Sequence, residues 1–394
     1  MRVSQRKRAL LSWQFDTIFR MLILSAILAI FVYGLIAPIL GALLPTYGLS
    51  AAQQGTLATL QALGLVVASL SAGPFIDIKG NKLALLAGLA LIVASLAAAP
   101  NAGGYTGLLV VYFILGVGGG IVVTGANSLA GAVDPTRRGS VLNFLNLFFG
   151  LGSIITTYVA SERVNPSLVC YMIAGLTVIA LAVNAATKMP GPSGEASFRV
   201  NEVPSLLSRP ALILLSFFLF LYVACEVGVW NWLKTYLVTV DFDAATAGHV
   251  VSYGFAFGIL VGRVVVSRIL IKVPALTVTL VAALLMAITT FAMLELQSPT
   301  AITAAVFCAG LSMAPMFPTV LAITGDTFTR GTATATGIVI TCGWIGLAVS
   351  SQIIGALAEG GKYHRALMLI PIFSVLMVLV NLVLRPVLRR PATA

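Results

Sequence analysis

The chain is a succession of long apolar runs broken by short polar ones. A helix that crosses a bilayer needs about 20 apolar residues. Twelve such runs stand at 20–45, 52–76, 82–100, 106–133, 138–161, 167–187, 210–238, 244–270, 273–296, 299–325, 331–358 and 365–388. Most connections between them are short. The exception, residues 188–209 (KMPGPSGEASFRVNEVPSLLSR), is polar, rich in Pro and Gly, and falls at mid-chain, which reads as a linker. The pattern predicts a 1–19 tail, a six-helix half over 20–187, the 188–209 linker, a second six-helix half over 210–388 and a 389–394 tail.

Composition sharpens this. The chain is 59% hydrophobic and 9% charged, against about 25% charged residues in soluble domains. It is a multi-pass membrane protein, expected in the cell membrane. Its net charge of +11 would suit nucleic acid, but the positions of the charges explain it otherwise. With the N-terminus inside, cytoplasmic segments hold most Lys and Arg, Arg263 among them, and the outer segments hold only Arg163, Lys234, Lys362 and Arg365. That asymmetry places both termini and the linker in the cytoplasm. The N-terminal MRVSQRKRALL is basic, lacks a small-residue cleavage site and precedes a full-length run, so it reads as a tail rather than a signal peptide. Cys170, Cys225, Cys308 and Cys342 lie far apart in apolar runs and read as small buried hydrophobes.

A short internal echo points to duplication. Asp134-Pro-Thr-Arg-Arg-Gly139 follows the fourth run and Asp326-Thr-Phe-Thr-Arg-Gly331 follows the tenth. Equivalent loops in two six-helix halves are the organisation of alternating-access transporters. Between runs two and three stands Gly73-Pro-Phe-Ile-Asp77-Ile-Lys79-Gly80-Asn81-Lys82. This resembles the loop signature GxxxD(R/K)xGR(R/K) of the major facilitator superfamily, with one basic residue shifted to Lys79. Gly73 permits close helix approach. Asp77 can accept from a neighbouring helix N-terminus or an Arg and so lock one conformation.

Further stretches resemble one branch of that superfamily, the fucose–galactose–glucose:proton symporters. They are Gly116-Val-Gly-Gly-Gly-Ile-Val-Val-Thr-Gly-Ala-Asn127, Leu142-Asn143-Phe-Leu-Asn146, Tyr222-Val-Ala-Cys-Glu226, Gly258-Ile-Leu-Val-Gly262-Arg263 and Gly310-Leu-Ser-Met-Ala-Pro315-Met-Phe-Pro318-Thr319. The resemblance implies an all-α membrane protein with twelve transmembrane helices in two six-helix halves, the major facilitator fold. It also implies transport of a monosaccharide or similar small polar solute, usually with protons. The chain departs from the branch in lacking an acid in helix 1 and in having Val123 at the acidic position of helix 4. The family's coupling carboxylates therefore do not carry over, and a uniporter stays open.

Glu226 is then the one acid well inside a predicted helix. A carboxylate at membrane depth costs at least ~2.5 kcal/mol and normally faces a cavity or a partner. Glu226, Trp230 and Lys234 recur every four residues, on one helical face. Lys234 is too distant for a direct pair, ~12 Å along the axis, so the acid needs a cation from another helix or spends part of its time protonated. Candidate substrate-binding residues are Glu226, Trp230, Asn231, Asn127, Asn143, Gln61, Trp344 and Gln352, with Glu226 also the coupling residue. Each polar one could instead bond a neighbouring helix. Asn146, Tyr33, His249 and Tyr253 are weaker candidates. The conformational set is Gly73, Asp77, Gly80, Lys82, Arg138, Arg263, Pro315 and Pro318, the two prolines marking a hinge or a kink in helix 10. Gly118, Gly119, Gly120 and Gly125 lack the setting of a phosphate loop and read as close helix packing. The chain holds no catalytic Ser/His/Asp set, metal cluster or nucleotide-binding motif. An enzyme, a metal and a cofactor are not expected. The expected partners are the lipid bilayer, a sugar-like solute and a proton or no coupling ion, for a monomer. The rival reading is a proton-coupled exporter of amphipathic drugs.

Overall fold

The computed structural model of the chain describes residues 20–39, 43, 47–49, 51–161, 165–191 and 202–389. Both expected tails lie almost wholly outside the described residues, as do residues 192–201 of the linker. The described chain is helical throughout. Helix α1 is Arg20–Ile36, α2 Ala51–Lys79, α3 Asn81–Ala98, α4 Tyr105–Val133, α5 Arg138–Ser161 and α6 Pro166–Ala186. The second set opens with α7, Pro210–Thr239. Helix α8 is built from Ala244–His249, a π-helical stretch Val250–Phe255 and Ala256–Ile269. Then come α9, Ala275–Glu295; α10, in two pieces Pro299–Met313 and Met316–Thr327; α11, Thr332–Leu357; and α12, Tyr363–Leu367 continued by Leu369–Arg389. Eleven of the twelve are long and apolar enough to cross a membrane, and α1 is shorter over its described residues.

The ends of these helices are set by local chemistry. Pro opens α6, α7 and the first piece of α10, where its missing N–H costs nothing. Asn165 and Asp243 cap α6 and α8 by accepting from backbone N–H groups two and three residues on. Asp134 does the same for the turn before α5, accepting from the N–H of Thr136 and Arg137 at 3.1 and 3.2 Å. Gly80 separates α2 from α3 with φ +89°, a conformation that only glycine adopts freely. In α10 the expected weak point is a true interruption. The chain turns at Ala314 and Pro315, and the second piece starts with Pro318 still in its first turn, where proline is tolerated.

The six-helix packing pattern repeats. In the first half α4 lies between α2 and α3, and α3 also meets α6. In the second half α10 lies between α8 and α9, and α9 also meets α12. The close crossings match: a side chain at Gly116 would strike the Gln61 carbonyl of α2, and one at Gly310 would strike the Phe255 carbonyl of α8. Small residues let membrane helices approach to backbone contact. The halves meet through α2 against α11 and through α5 against α8 and the second piece of α10.

Two sequence expectations are corrected. Cys308 is exposed and Cys342 half-buried, where both were expected to be buried. Arg263 does not belong to a cytoplasmic segment: it lies inside α8, within the apolar span 245–269, and is only 3% exposed.

Candidate functional site

The face of α7 that carries Glu226, Trp230 and Lys234 runs along α8. Lys234 lies beside Gly248. The Trp230 ring meets the edge of Phe255, centroids 5.1 Å apart at 75°. Glu226 has Arg263 as its opposite charge, with Tyr222 and Trp230 beside it. The cation that Glu226 requires therefore comes from α8 rather than from Lys234. Glu226 and Arg263 do not close to a direct ion pair, and the Tyr222 hydroxyl makes no hydrogen bond of standard geometry. Glu226 keeps partial exposure while Arg263 is buried behind it.

Arg263 is held from the other half. Its guanidinium donates to the backbone carbonyl of Asn146 on α5 and lies over the Phe149 ring, 5.7 Å from the centroid. Its Nε has no partner. A guanidinium keeps its proton in proteins, so in this low-dielectric setting its charge reaches Glu226 more strongly than it would through water. Phe149 stacks on Tyr33 of α1, centroids 5.4 Å apart. Tyr33 in turn meets Trp344 of α11 edge-on at 6.4 Å, and the Trp344 indole donates to Ser69 Oγ of α2 at 3.2 Å. Groups from α1, α2, α5, α7, α8 and α11 thus converge at mid-depth, where the halves meet.

Below this cluster, toward the linker side, the halves are tied shut. Asp77 at the end of α2 accepts from the N–H of Ala333 at 3.2 Å and from the N–H and hydroxyl of Thr334 at 2.8 and 2.7 Å. It caps α11 across the interface. One turn earlier, a side chain at Gly73 would stand 2.5 Å from the Ala333 carbonyl. Arg138 pairs with Asp326 at 2.7 Å, which joins the two echo motifs crosswise. Ser140 donates to the Ser267 carbonyl, and Asn143 donates to Thr319 Oγ1 at 3.1 Å, just past the break in α10. Toward the far side, stretches of α2, α5, α8 and α11 expose Leu63, Tyr158, Tyr253 and Val349.

The remaining expected residues fall as follows. Asn127 accepts from Asn146 at 3.0 Å, and Asn127, Asn143 and Asn146 are all buried in this conformation. Asn231 and Gln352 are exposed. Gln352 lines a separate far-side cavity of about 620 Å³ with Trp232, Glu359 and Tyr363. Gln61 is half-buried in the α2–α4 crossing. Lys82 does not bridge the halves: it donates to the carbonyls of Ala185 and Thr187 at 2.7 and 3.0 Å, closing the end of α6. His249 lies against Tyr253 at 5.5 Å. Sequence reasoning missed Phe149, Ser69, Thr319 and Thr334, whose roles depend on partners more than 100 residues away. It had a signal for Arg263, a charge within the apolar run VSYGFAFGILVGRVVVSRIL, because an intramembrane charge is by default functional.

Two repeated six-helix bundles joined on one side below a mid-depth polar cluster are an organisation of membrane transporters. The chain belongs to the Major Facilitator Superfamily, whose family profile matches residues 22–351 and again 241–394. No curated protein sequence matches it at significance. Among solved structures it is similar to the fucose:proton symporter FucP of E. coli, with a TM-score of 0.81 at 17% identity over 94% of this chain and 99% of that one. It is also similar to the human organic anion transporter MFSD10 (0.77, 14%, 93% and 99%). A third is the proton:xylose symporter XylE (0.75, 13%, 92% and 95%). At these identities the likeness is one of fold.

Proposed function

We propose that the chain is a secondary transporter that moves a small polar solute, a monosaccharide, together with a proton carried by Glu226. The observation that carries this reading is the placement of Glu226. It is partly accessible at mid-depth, with a buried cation behind it that also grips the opposite half through Asn146. A change of charge on Glu226 is felt by Arg263, and Arg263 is part of the tie between α8 and α5. The Glu226–Arg263 pair would then stand in for the coupling acids missing from helices 1 and 4. Trp230, Tyr33 and Trp344 offer ring faces against which a sugar's C–H face packs, and Glu226 accepts from its hydroxyls. Asn127, Asn143, Pro315 and Pro318 serve the conformational change in this reading, since the buried asparagines stitch α4, α5 and α10 together. The fucose:proton symporter FucP and the proton:xylose symporter XylE, which share this fold, support the solute class. Termini and linker lie in the cytoplasm, so the ties seal the inner side and the site opens outward.

The test is uptake into proteoliposomes from a mixed panel of hexoses, pentoses and aromatic organic anions, with and without an inward proton gradient. The expected result is gradient-driven accumulation of a sugar. Glu226→Gln keeps shape and hydrogen bonding but cannot titrate. It should abolish accumulation and retain counterflow exchange. Equal loss of both activities would make Glu226 a binding residue only. No loss of either would sink the assignment, and uptake of the organic anions alone would favour the exporter reading.

A further inference from the structure

We propose that the far-side cavity at the end of α11 is an outer binding site for the transported solute, a neutral sugar, in series with the mid-depth cluster; the inference rests on the monosaccharide reading above. The cavity holds about 620 Å³ and is lined by Trp232 of α7, by Gln352 and Gly355 of α11, by Glu359 just past it, and by Tyr363 of α12. Its size lies within the range of small-molecule sites, roughly 300–1,000 Å³. Trp344, Gln352, Gly355 and Glu359 follow one another at spacings of eight, three and four residues, which puts them on one face of α11 and of the turn that continues it. Toward the linker side the same face carries Gly337, whose backbone lies on α2 at Ser69. Gln352 stands ~12 Å beyond Trp344 along the axis at 1.5 Å per residue. The face that is sealed against α2 below therefore passes the mid-depth rings and ends in this cavity.

The lining chemistry selects the occupant. Trp232 and Tyr363 meet at 6.2 Å between centroids and 38°, and both are half-buried. Rings this close form one platform rather than two separate walls, and a platform takes the C–H face of a sugar. A side chain at Gly355 would stand 3.5 Å from the Trp232 ring, so glycine leaves that ring open to the cavity. Gln352 and Glu359 are exposed, and neither has an ion pair or a side-chain hydrogen bond among the described residues. The amide donates and accepts, and the carboxylate accepts, which matches a ring of hydroxyls. Other occupants fit worse. A lipid chain would strip water from a carboxylate and an amide without replacing its hydrogen bonds. A cation meets Lys362 and Arg365, which flank Tyr363, and an anion meets Glu359; like charges set face to face exclude a partner. Held here, the sugar exchanges part of its water for the amide and the carboxylate before it reaches Trp344.

The test is equilibrium dialysis of the full chain, purified in detergent, against radiolabelled fucose, xylose and glucose in turn, each raised until binding saturates. The expected result is two equivalents of one sugar per chain. Glu359→Ala, at an exposed position, and Gly355→Leu, which fills the cavity from its helical wall, should each remove one equivalent and leave the other. Hydrogen exchange at 352–363 should slow when that sugar is added to the unaltered protein, and in neither variant. One equivalent that both substitutions leave in place, with no slowing at 352–363, would overturn the outer site and keep the monosaccharide reading. One equivalent that both substitutions remove would uphold the outer site and sink the mid-depth one. No bound sugar at all would overturn both. Tetramethylammonium bound in place of sugar, and lost in Glu359→Ala, would overturn the solute class.

Discussion

Replacing Asp77 by Asn tests whether the linker-side tie sets the balance between conformations. Asp77 joins α2 to α11 with three hydrogen bonds, at 3.2, 2.8 and 2.7 Å, and its negative charge sits at a helix N-terminus. Hydrogen bonds to a charged group contribute about 1.5–3 kcal/mol, and the helix dipole adds about 0.3–1 kcal/mol. Asn keeps one acceptor oxygen, turns a donor toward the other N–H groups and loses the charge. Asp77 is only half-buried, so solvent screens part of the effect, and a loss of about 2 kcal/mol is a fair expectation. That is roughly a thirtyfold change in an equilibrium constant. A protein about 97% closed on this side would fall to about half closed. Hydrogen exchange reads this directly. Peptides spanning Ala333 and Thr334 should exchange faster, and so should those spanning Gly139–Asn143 on α5, which Asp77 does not touch. Transport should slow while solute affinity in the outward-facing state stays nearly unchanged, because Asp77 biases two states without touching solute. Faster exchange confined to 333–334 would mean local fraying only. A large fall in affinity with unchanged exchange would refute the reasoning.

Other substitutions probe the site and the frame. Arg263→Gln leaves Glu226 without its cation and should lower thermal stability by about 3 kcal/mol, whereas Arg263→Gln with Glu226→Gln should be milder than the single change; equal melting temperatures would show that the two charges do not act on each other. Arg138→Gln removes a pair whose Asp326 partner is 56% exposed, so it should cost under about 1 kcal/mol and speed exchange around Gly139 less than Asp77→Asn does. The carboxyl of Asp243 is held below the ordinary value by its bonds to Thr246. Its cap is thus present above the unfolded pKa, about 3.9, and is lost as pH falls through the lowered one; exchange at 244–249 should be flat across neutral pH and rise only in acid. Cysteine labelling at Lys188 and at Ser298 should show opposite sidedness, and same-side labelling would break the twelve-helix topology.

Hydropathy alone was enough to place the helices, because a bilayer imposes one length and one composition on every crossing segment. The shared face of Glu226, Trp230 and Lys234 also follows from helical spacing, and it lies along α8 through Phe255 and Gly248. The depth of Arg263 was misread because counting positive charges assigns an Arg near the end of an apolar run to the interface. In α8 six further helical residues follow it. The π-helical stretch Val250–Phe255 has no composition signature at all. The aromatic relay through Phe149, Tyr33 and Trp344 joins three helices that only the tertiary fold brings together. Asn127 and Asn143 bond to neighbouring helices, and their residue type alone does not distinguish that from facing a cavity.

The seam where α2 meets α11 inverts the usual logic of a core. Gly73 lies on Ala333, and a side chain at Gly337 would stand 2.5 Å from the Ser69 carbonyl. At these two glycines backbone rests on backbone, with no side-chain volume to remove. In an ordinary core, truncation is the damaging change, because it leaves a void. At Gly73 and Gly337 there is nothing to truncate, and each added methyl acts as a wedge. Saturation mutagenesis should therefore draw this seam as a negative image of the surrounding helices, intolerant of growth in proportion to added size. The wedges should do harm by propping one gate ajar, so the damaged variants would remain folded and embedded in the membrane while transport is lost.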